Sequence, residues 1–198
     1  MGGVVTRYCA TRDEVVNSKR VFDIIFAAIG IAVFAPAMLL IAIFILWDSG
    51  PPVVFTQERI GARLRQFRVY KFRSMHDGLV TRPGRWIRAT GLDEVLQFFN
   101  VLRGEMSMVG PRPLTGEDLN RLGWVDNPVR RMLKPGVTGL AQLYAGRGSR
   151  QSGFLDSKYA RQQSIWLDFK IISVSFAANV FGKRRVRQWL RSRRRRTG

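Results

Sequence analysis

The chain has 198 residues, enough for one domain with a sizeable core, and its 33 lysines and arginines against 14 acidic residues give a formal net charge of +19. Its one cysteine, Cys9, excludes an internal disulfide and a cysteine-based zinc site, and its one histidine, His76, leaves a Ser/His/Asp triad dependent on a single residue. The basic excess predicts an anionic partner, either nucleic acid or the acidic leaflet of a membrane.

A long apolar segment lies near the N-terminus. Residues 1–18 are polar and mixed in charge and lack the cleavage site of a signal peptide, so we interpret them as a cytoplasmic lead-in. After Lys19, Arg20 and Asp23, the segment from Ile24 to Trp47 contains 24 residues without a charge. A run of that length predicts insertion into a membrane.

Two features of this segment favour re-entry over a single span. Pro36 lies near its middle, where a proline removes a helix hydrogen bond and bends the helix, and each half would be roughly 18 Å long at ~1.5 Å per residue. Basic residues flank the segment on both sides, and a single span would place one of these flanks outside, against the positive-inside tendency. We therefore predict a re-entrant helix-break-helix over residues 19–48, with a kinked spanning helix as the alternative.

The next stretch predicts short strands that carry cations. Val53 to Phe55 and the alternating Phe67 to Phe72 have strand patterns. Lys71 and Arg73 would point to one face, where they could hold a diphosphate, although solvated surface positions are the commoner location for such residues. Arg88, the last of three spaced arginines, continues this basic lining toward an acidic pair.

That adjacent pair of carboxylates, Asp93 and Glu94, begins an apolar helical pattern that continues to Leu102. Thr90 has the spacing of a capping box with Asp93, so one interpretation is that Asp93 only starts the helix. The other interpretation is chemical, because the free N–H groups and positive dipole of a helix N-terminus hold carboxylates ionised and attract phosphate. Two carboxylates there could bind Mg²⁺ and attack phosphorus.

Two loops with restricted backbones follow the acidic pair. Gly110, Pro111 and Pro113 surround Arg112, whose guanidinium suits phosphate oxygens, while an ordinary tight turn has the same composition. The glycine-rich segment Leu133 to Gly148 is typical of an ordered binding loop and equally of a plain surface loop.

The C-terminal part of the chain favours helices. Residues 117–125 predict a short helix, and Leu155 to Phe181 carries apolar residues at helical spacing. One face of this second helix would let it lie on a membrane surface, and that face carries Trp166, Phe169, Ile172 and Phe176. Residues 182–198 hold nine basic residues and no acid, and they form either a further amphipathic helix or a disordered arginine-rich arm.

Seven motifs, in register from about Lys19 to about Asp168, resemble those of the bacterial sugar transferases of the monotopic phosphoglycosyl transferase family. They are KRVFD at 19–23, the membrane proline at 36, GPPVVFTQERIG at 50–61, KFRSM at 71–75, LDE at 92–94, NVLRGEMSMVGPRP at 100–113 and KPGVTGLAQ at 134–142. Each motif is weak alone, but the set in this order is specific. The resemblance makes the catalytic interpretation of Asp93 and Glu94 the favoured one.

The resemblance implies a mostly helical α+β fold with four parts. These are a lead-in at 1–18, a re-entrant membrane helix at 19–48, a small cytoplasmic catalytic domain with amphipathic membrane-surface helices at 49–181, and a basic tail at 182–198. It also implies a monotopic protein of the bacterial inner membrane, with the catalytic domain on the cytoplasmic face in contact with anionic lipids.

The implied reaction moves a sugar 1-phosphate from a nucleotide diphosphate sugar, expected to be a UDP-sugar, to polyprenyl (undecaprenyl) phosphate. In the family, the aspartate at the position of Asp93 attacks the sugar-linked phosphorus and carries the sugar phosphate covalently. The resemblance implies Mg²⁺ as cofactor, with Asp93 and Glu94 as its ligands. Phosphate contacts are expected, in falling order, from Arg112, Lys71, Arg73 and Arg88.

The chain departs from the family pattern at two places. Ala35 stands where a serine commonly precedes the membrane proline, so no hydroxyl helps hold the bend. Val95, Leu96 and Gln97 follow the acidic pair where Leu-Pro-Gln is usual, which is expected to change only how the helix starts.

Two other functions stay open from the residues. A membrane-tethered nucleic-acid-binding protein would use the basic tail, but no folded nucleic-acid module is visible and no nucleic acid is expected. A non-catalytic partner of a polysaccharide assembly pathway would carry a degenerate site. The residues leave the sugar, the downstream polymer and formation of a homo-oligomer undecided.

Overall fold

The computed structural model describes residues 2–144 and 150–181, and the side chains of 17–144 and 151–179. Its α-helices are α1 (Gly2–Ser49), α2 (Arg82–Thr90), α3 (Gln97–Leu102), α4 (Gly116–Arg121), α5 (Pro128–Met132), α6 (Leu140–Tyr144), α7 (Arg150–Gln162) and α8 (Ile165–Phe181). Its strands are β1 (Val54–Ile60), β2 (Gln66–Phe72), β3 (Met75–His76), β4 (Leu79–Val80), β5 (Ser107–Val109) and β6 (Gly136–Thr138). This mostly helical content with small sheets is compatible with the predicted α+β class.

Helix α1 contains the apolar segment and runs through Pro36. The expected interruption at Pro36 was therefore wrong as a gap in the helix, although the proline lacks an N–H and leaves the carbonyl of Ala32 without its helical donor. From Asn17 to Ser49 the helix is long and apolar enough to cross a membrane, by length and composition only. Re-entry remains a prediction.

One side of α1 packs against the domain, and the other side is exposed. Ala27, Ile41 and Ile45 are buried, whereas Leu40 and Trp47 are 67% and 84% exposed. Large apolar side chains exposed along a helix indicate contact with a membrane or a partner.

Ionic and hydrogen-bond contacts hold the start of the apolar segment to the rest of the domain. The guanidinium of Arg20 donates to the carbonyls of Val101 and Leu102 at 2.6 and 2.8 Å, and so satisfies the last carbonyls of α3. Lys19 Nζ lies 2.6 Å from Asp168 Oδ2 of α8. Asp23 Oδ1 accepts from the backbone N–H of Met108 at 3.0 Å, which joins α1 to β5.

Arg73 holds the other end of α1. Its Nη2 donates to the carbonyls of Ser49 and Gly50 at 3.0 and 2.5 Å, and its Nη1 donates to the carbonyl of Pro51 at 3.0 Å. Arg73 is 8% exposed, so these charge-assisted bonds lie where water competes little. Both ends of the apolar segment are thereby fixed to the domain.

The predicted strands are confirmed, and they form an antiparallel hairpin of β1 and β2 with Phe55 opposite Lys71 and Arg59 opposite Phe67. Strands β5 and β6 pair in parallel, and β3 pairs with β4. Side chains from the hairpin, the helices and β5 fill one core, which includes Val69, Phe72, Ile87, Val101, Met106, Val109, Tyr159 and Ile171.

Two helix predictions need correction. The helix expected over 155–181 is two helices, α7 and α8, which are separated by Gln163 and Ser164, where Ser164 Oγ accepts from the N–H of Leu167 at 3.2 Å. The helix expected over 117–125 is α4 alone and ends at Arg121. The prediction for the basic tail lies outside the described residues.

Candidate active site

The acidic pair lies in a single 3-10 turn, Leu92–Glu94, between α2 and α3. Gly91 ends α2 with a φ of +75°, a left-handed conformation that glycine adopts without a steric penalty. Thr90 is not a cap for Asp93, because its Oγ1 donates backwards to the carbonyls of Trp86 and Ile87. The capping-box interpretation was therefore wrong, and α3 begins only at Gln97.

Nearby cations partly compensate the negative charge of the acidic pair. Lys71 Nζ lies 2.7 Å from Glu94 Oε1. Partial burial and the neighbouring Glu94 raise the pKa of Asp93 above its usual range, while Lys71 and Arg88 act in the opposite direction. In its ionised form, a carboxylate with a raised pKa is a stronger nucleophile than an ordinary one.

A cavity of about 1560 Å³ contains this turn and has walls of two kinds. The polar wall carries the acidic pair and cations, which include Arg59, Lys71, Arg73, Arg88, Arg112 and Arg121. The apolar wall comes from α1, α3 and α8, and includes Phe26, Ile29, Val33, Phe34, Phe98, Ile172 and Phe176. The cavity thus joins an ionic site to the surface of the apolar helix.

The cations predicted from the sequence fall into different environments. Lys71 contacts the acidic pair directly, and Arg88 lies in the last turn of α2 close enough to influence the pKa of Asp93. Arg112 is half-buried in the wall of the same cavity. Arg73 also borders the cavity, but both of its terminal nitrogens donate to the backbone at the end of α1. A phosphate contact from any of these four residues stays a prediction.

Backbone contacts fix the loop that carries Arg112. The N–H of Gly110 donates to the carbonyl of Thr138, and the N–H of Gly136 donates to the carbonyl of Pro111, both at 2.9 Å. A Cβ on Gly110 would lie 2.3 Å from the carbonyl oxygen of Lys134, so only glycine allows this approach. The two glycine-containing motifs therefore form one rigid unit.

A buried ion pair stabilises the loop that carries Arg112. Arg130 Nη1 donates to the carbonyl of Arg112 at 2.7 Å, and its Nη2 lies 3.0 Å from Asp156 Oδ2. The guanidinium also lies over the ring of Trp124 at 4.8 Å from its centroid. Burial raises the pKa of Asp156 to about 6, against the opposing effect of Arg130.

The residues fit a magnesium ion that is shared with a substrate. Within 17–144 and 151–179, no three His, Cys, Asp or Glu side chains converge as a complete protein metal site. Mg²⁺ commonly takes one or two carboxylates and completes its coordination with phosphate oxygens and water. Asp93 and Glu94 supply such carboxylates, and a cation would also offset the repulsion between them.

Several residues of the site were missed from the sequence. Gln57 and Arg59 follow Phe55 at every second position of β1, so strand periodicity puts them on the face of Lys71, and that pattern could have identified them. Asp118 and Arg121 gave no comparable signal. Their place at the cavity follows from the bridge between Ile60 of β1 and Leu114 just before α4, which is a tertiary feature.

A carboxylate pair among cations, in a cavity bordered by an exposed apolar helix, is compatible with an enzyme that works at a membrane surface. Comparison with known proteins gives the family: residues 14–182 match the family described as Bacterial sugar transferase, and the chain belongs to it.

Named relatives share this region of the chain. The chain is 39% identical over 192 residues to the undecaprenyl-phosphate glucose phosphotransferase of Komagataeibacter xylinus, with 83% of this chain and 36% of the relative covered. It is 38% identical over 177 residues to the UDP-glucose:undecaprenyl-phosphate glucose-1-phosphate transferase of Caulobacter vibrioides, with 78% and 66% covered. The corresponding protein of Escherichia coli K12 is 36% identical over 180 residues, with 78% and 38% covered. The chain therefore spans between about a third and two thirds of the length of these relatives.

Proposed function

We propose that this protein transfers a sugar 1-phosphate from a UDP-sugar to undecaprenyl phosphate, through a covalent intermediate on Asp93. The observation that carries the proposal is the position of Asp93 and Glu94, in one cavity with Lys71 and with the apolar face of α1. The names of the relatives support the donor and the acceptor.

In the first step, a carboxylate oxygen of Asp93 attacks the phosphorus that carries the sugar. The bond from that phosphorus to the bridging diphosphate oxygen breaks, and the nucleoside monophosphate leaves with the electron pair. Asp93 requires no general base, because the attacking group is a carboxylate, which in its ionised form has no proton to lose.

In the second step, a phosphate oxygen of the lipid acceptor attacks the same phosphorus. The bond to Asp93 breaks, its carboxylate is regenerated, and the product is an undecaprenyl diphosphate sugar. Phe34 and Val33 of α1 border the cavity, so the acceptor can keep its hydrocarbon chain against an apolar wall while its phosphate reaches Asp93.

Charge compensation is the main task of the surrounding residues, since an anion attacks an anion. Lys71 holds Glu94 beside the nucleophile, and Arg88 and Arg112 offer guanidinium groups for phosphate oxygens. Mg²⁺, held by Asp93 and Glu94, would neutralise negative charge on the diphosphate.

The membrane arrangement is part of the proposal. We place residues 19–48 of α1 as a re-entrant segment in the cytoplasmic leaflet of the bacterial inner membrane, with the catalytic domain on the cytoplasmic face. Arg73 at one end of the apolar segment and Arg20 at the other hold both ends against the same domain, which supports this arrangement.

Intact-protein mass spectrometry tests the covalent step. The detergent-solubilised protein is incubated with Mg²⁺ and a panel of UDP-sugars without acceptor, beside Asp93→Asn and with EDTA as a further control. We expect an added mass of one sugar phosphate that is absent in Asp93→Asn and reduced by EDTA. Turnover with undecaprenyl phosphate in the absence of any adduct would contradict the covalent mechanism and indicate direct transfer. If no donor gives an adduct or turnover, the catalytic proposal fails.

A further inference from the structure

A cluster of three charged side chains lies in the active-site cavity, away from the acidic pair. Asp118 lies between two arginines, with Arg59 Nη1 at 3.9 Å from its Oδ2 and Arg121 Nη2 at 2.6 Å from its Oδ1. All three side chains border the cavity that contains Asp93.

The cluster is built by two elements that are fixed to one another. Arg59 extends from β1, and the backbone N–H of the next residue, Ile60, donates to the carbonyl of Leu114 at 2.9 Å. Leu114 directly precedes Thr115, whose hydroxyl accepts from the N–H of Asp118 at 3.0 Å and begins α4. The side chain of Arg59 is only 16% exposed, which limits its freedom.

The separation between the cluster and the acidic pair suits an extended substrate. Phe55 pairs with Lys71, and Arg59 lies four residues further along β1, which corresponds to ~13 Å of strand. Residues 55, 59 and 71 share one face of the hairpin, so a ligand lying along this face would reach both places. In a nucleoside diphosphate sugar, the base lies at a distance of this order from the phosphorus that Asp93 would attack.

The order of charges in the cluster matches one nucleobase edge. Arg59 and Arg121 present donors on either side of Asp118, which presents an acceptor whose oxygens retain further lone pairs. Uracil has the complementary order, because its N3–H donor lies between the O2 and O4 acceptors. Cytosine has an acceptor at N3, which would face the carboxylate unfavourably.

We propose that Arg59, Asp118 and Arg121 form the site that recognises the uracil base of the donor, with the N3–H donating to Asp118. This inference rests on the proposed use of a UDP-sugar, and it assigns the nucleotide specificity to this cluster. The discrimination arises mainly from the central carboxylate, because a site built to accept a hydrogen bond rejects a base that lacks the donor.

Calorimetric titration of the solubilised full chain with UMP and CMP tests the assignment, because the two nucleotides differ only at this base edge. We expect a preference for UMP of roughly tenfold or more, which Asp118→Asn reduces to about threefold or less by weakening UMP and not CMP. The matched control is Asp126→Asn, since Asp126 forms a 2.6 Å pair with Arg131, is 89% exposed and does not border the cavity.

Equal binding of UMP and CMP by the unmodified chain would overturn the assignment, as would an Asp118→Asn variant that weakens both nucleotides equally. If Asp118→Asn does not fold, Arg121→Gln replaces it, because the side chain of Arg121 is 74% exposed and its loss should weaken the binding of UMP by about fivefold.

The sugar-phosphate adduct is measured on the same samples. Adduct formation without base selectivity overturns only the assignment, whereas selective UMP binding without an adduct or turnover overturns only the proposed catalysis.

Discussion

Lys71 Nζ lies 2.7 Å from Glu94 Oε1, although 23 residues separate them in the chain. The contact joins the end of β2 to the turn that carries the acidic pair. It places a cation beside two carboxylates, and the pKa of Asp93 is raised by burial and then by its proximity to Glu94.

Replacing Lys71 by Met should slow adduct formation by roughly tenfold to a hundredfold, because the proposed mechanism loses a cation beside the reacting phosphate. Lys71 lowers the pKa of Asp93, so its removal raises that pKa further and moves the acid limb of the pH profile to higher pH. The measurement is the rate of adduct formation as a function of pH. Arg68→Gln is the control, because Arg68 is also on β2 but is 70% exposed and faces the other side. Equal losses in both variants would argue against a local role for Lys71.

Replacing Glu94 by Gln should move the acid limb of the pH profile to lower pH. Glu94 raises the pKa of Asp93, so the neutral amide lowers that pKa and keeps the nucleophile ionised at lower pH. At neutral pH the rate should fall and the Mg²⁺ concentration needed for half-maximal rate should rise, because one of the two proposed carboxylate ligands is lost. The same pH series, repeated at several Mg²⁺ concentrations, gives both quantities. An acid limb that stays in place would disprove the coupling.

Ionisation of Asp156 should make stability depend on pH. Its pKa is raised to about 6 in the folded protein, above the usual range of an aspartate, so the folded state binds the proton more tightly than the unfolded state. The associated stability is present below the unfolded pKa and is lost as the pH rises through about 6. Denaturant unfolding in detergent should show a decrease of about 1 kcal/mol between about pH 5 and pH 7.

Asp156→Asn is the comparison for that experiment. The variant should be less stable at every pH, because Arg130 keeps its burial and loses its anionic partner. Its stability should nevertheless lack the decrease between about pH 5 and pH 7. A decrease of equal size in both proteins would assign the pH dependence to other groups.

Replacing Arg73 by Lys should detach the end of α1 from the domain. A single ammonium cannot reproduce the bonds to Ser49, Gly50 and Pro51, and the loss should cost roughly 2–4 kcal/mol. Limited proteolysis near Gly50 should accelerate, and adduct formation should fall with it. The exposed Arg68→Lys serves as the control, and unchanged proteolysis in Arg73→Lys would contradict the anchoring role.

The exposed face of α8 should bind membranes. Trp166 and Phe176 are 65% and 60% exposed, whereas Ile172 on the predicted face packs against the core. Replacing both Trp166 and Phe176 by Ser should reduce recovery of the protein with anionic vesicles in a flotation assay, since interfacial binding scales with buried apolar area. Phe154→Ser is the matched control, as Phe154 on α7 is 69% exposed. Equal recovery of the double variant would show that α1 alone carries the attachment.

The local part of the site could be predicted from the sequence, and the part that depends on packing could not. Asp93 and Glu94 were identified as a pair, but their turn was misassigned, because Thr90 donates its hydroxyl backwards into α2 and does not cap the next helix. Arg73 was expected to face a phosphate, yet its terminal nitrogens contact carbonyls at the end of α1. Spacing along the chain does not specify which distant acceptor a long side chain will reach.

The sequence by itself determined the uncharged segment from Ile24 to Trp47, the strand pattern of Phe67 to Phe72 and the motifs that identify the family, because charge and periodicity are properties of neighbouring residues. Only the tertiary structure decided that Lys71 meets Glu94, that Arg130 supports Arg112, and that Arg59 meets Asp118. Those contacts form between segments that are far apart in the chain. They depend on how the hairpin, the glycine-rich loops and α4 pack together and exclude water.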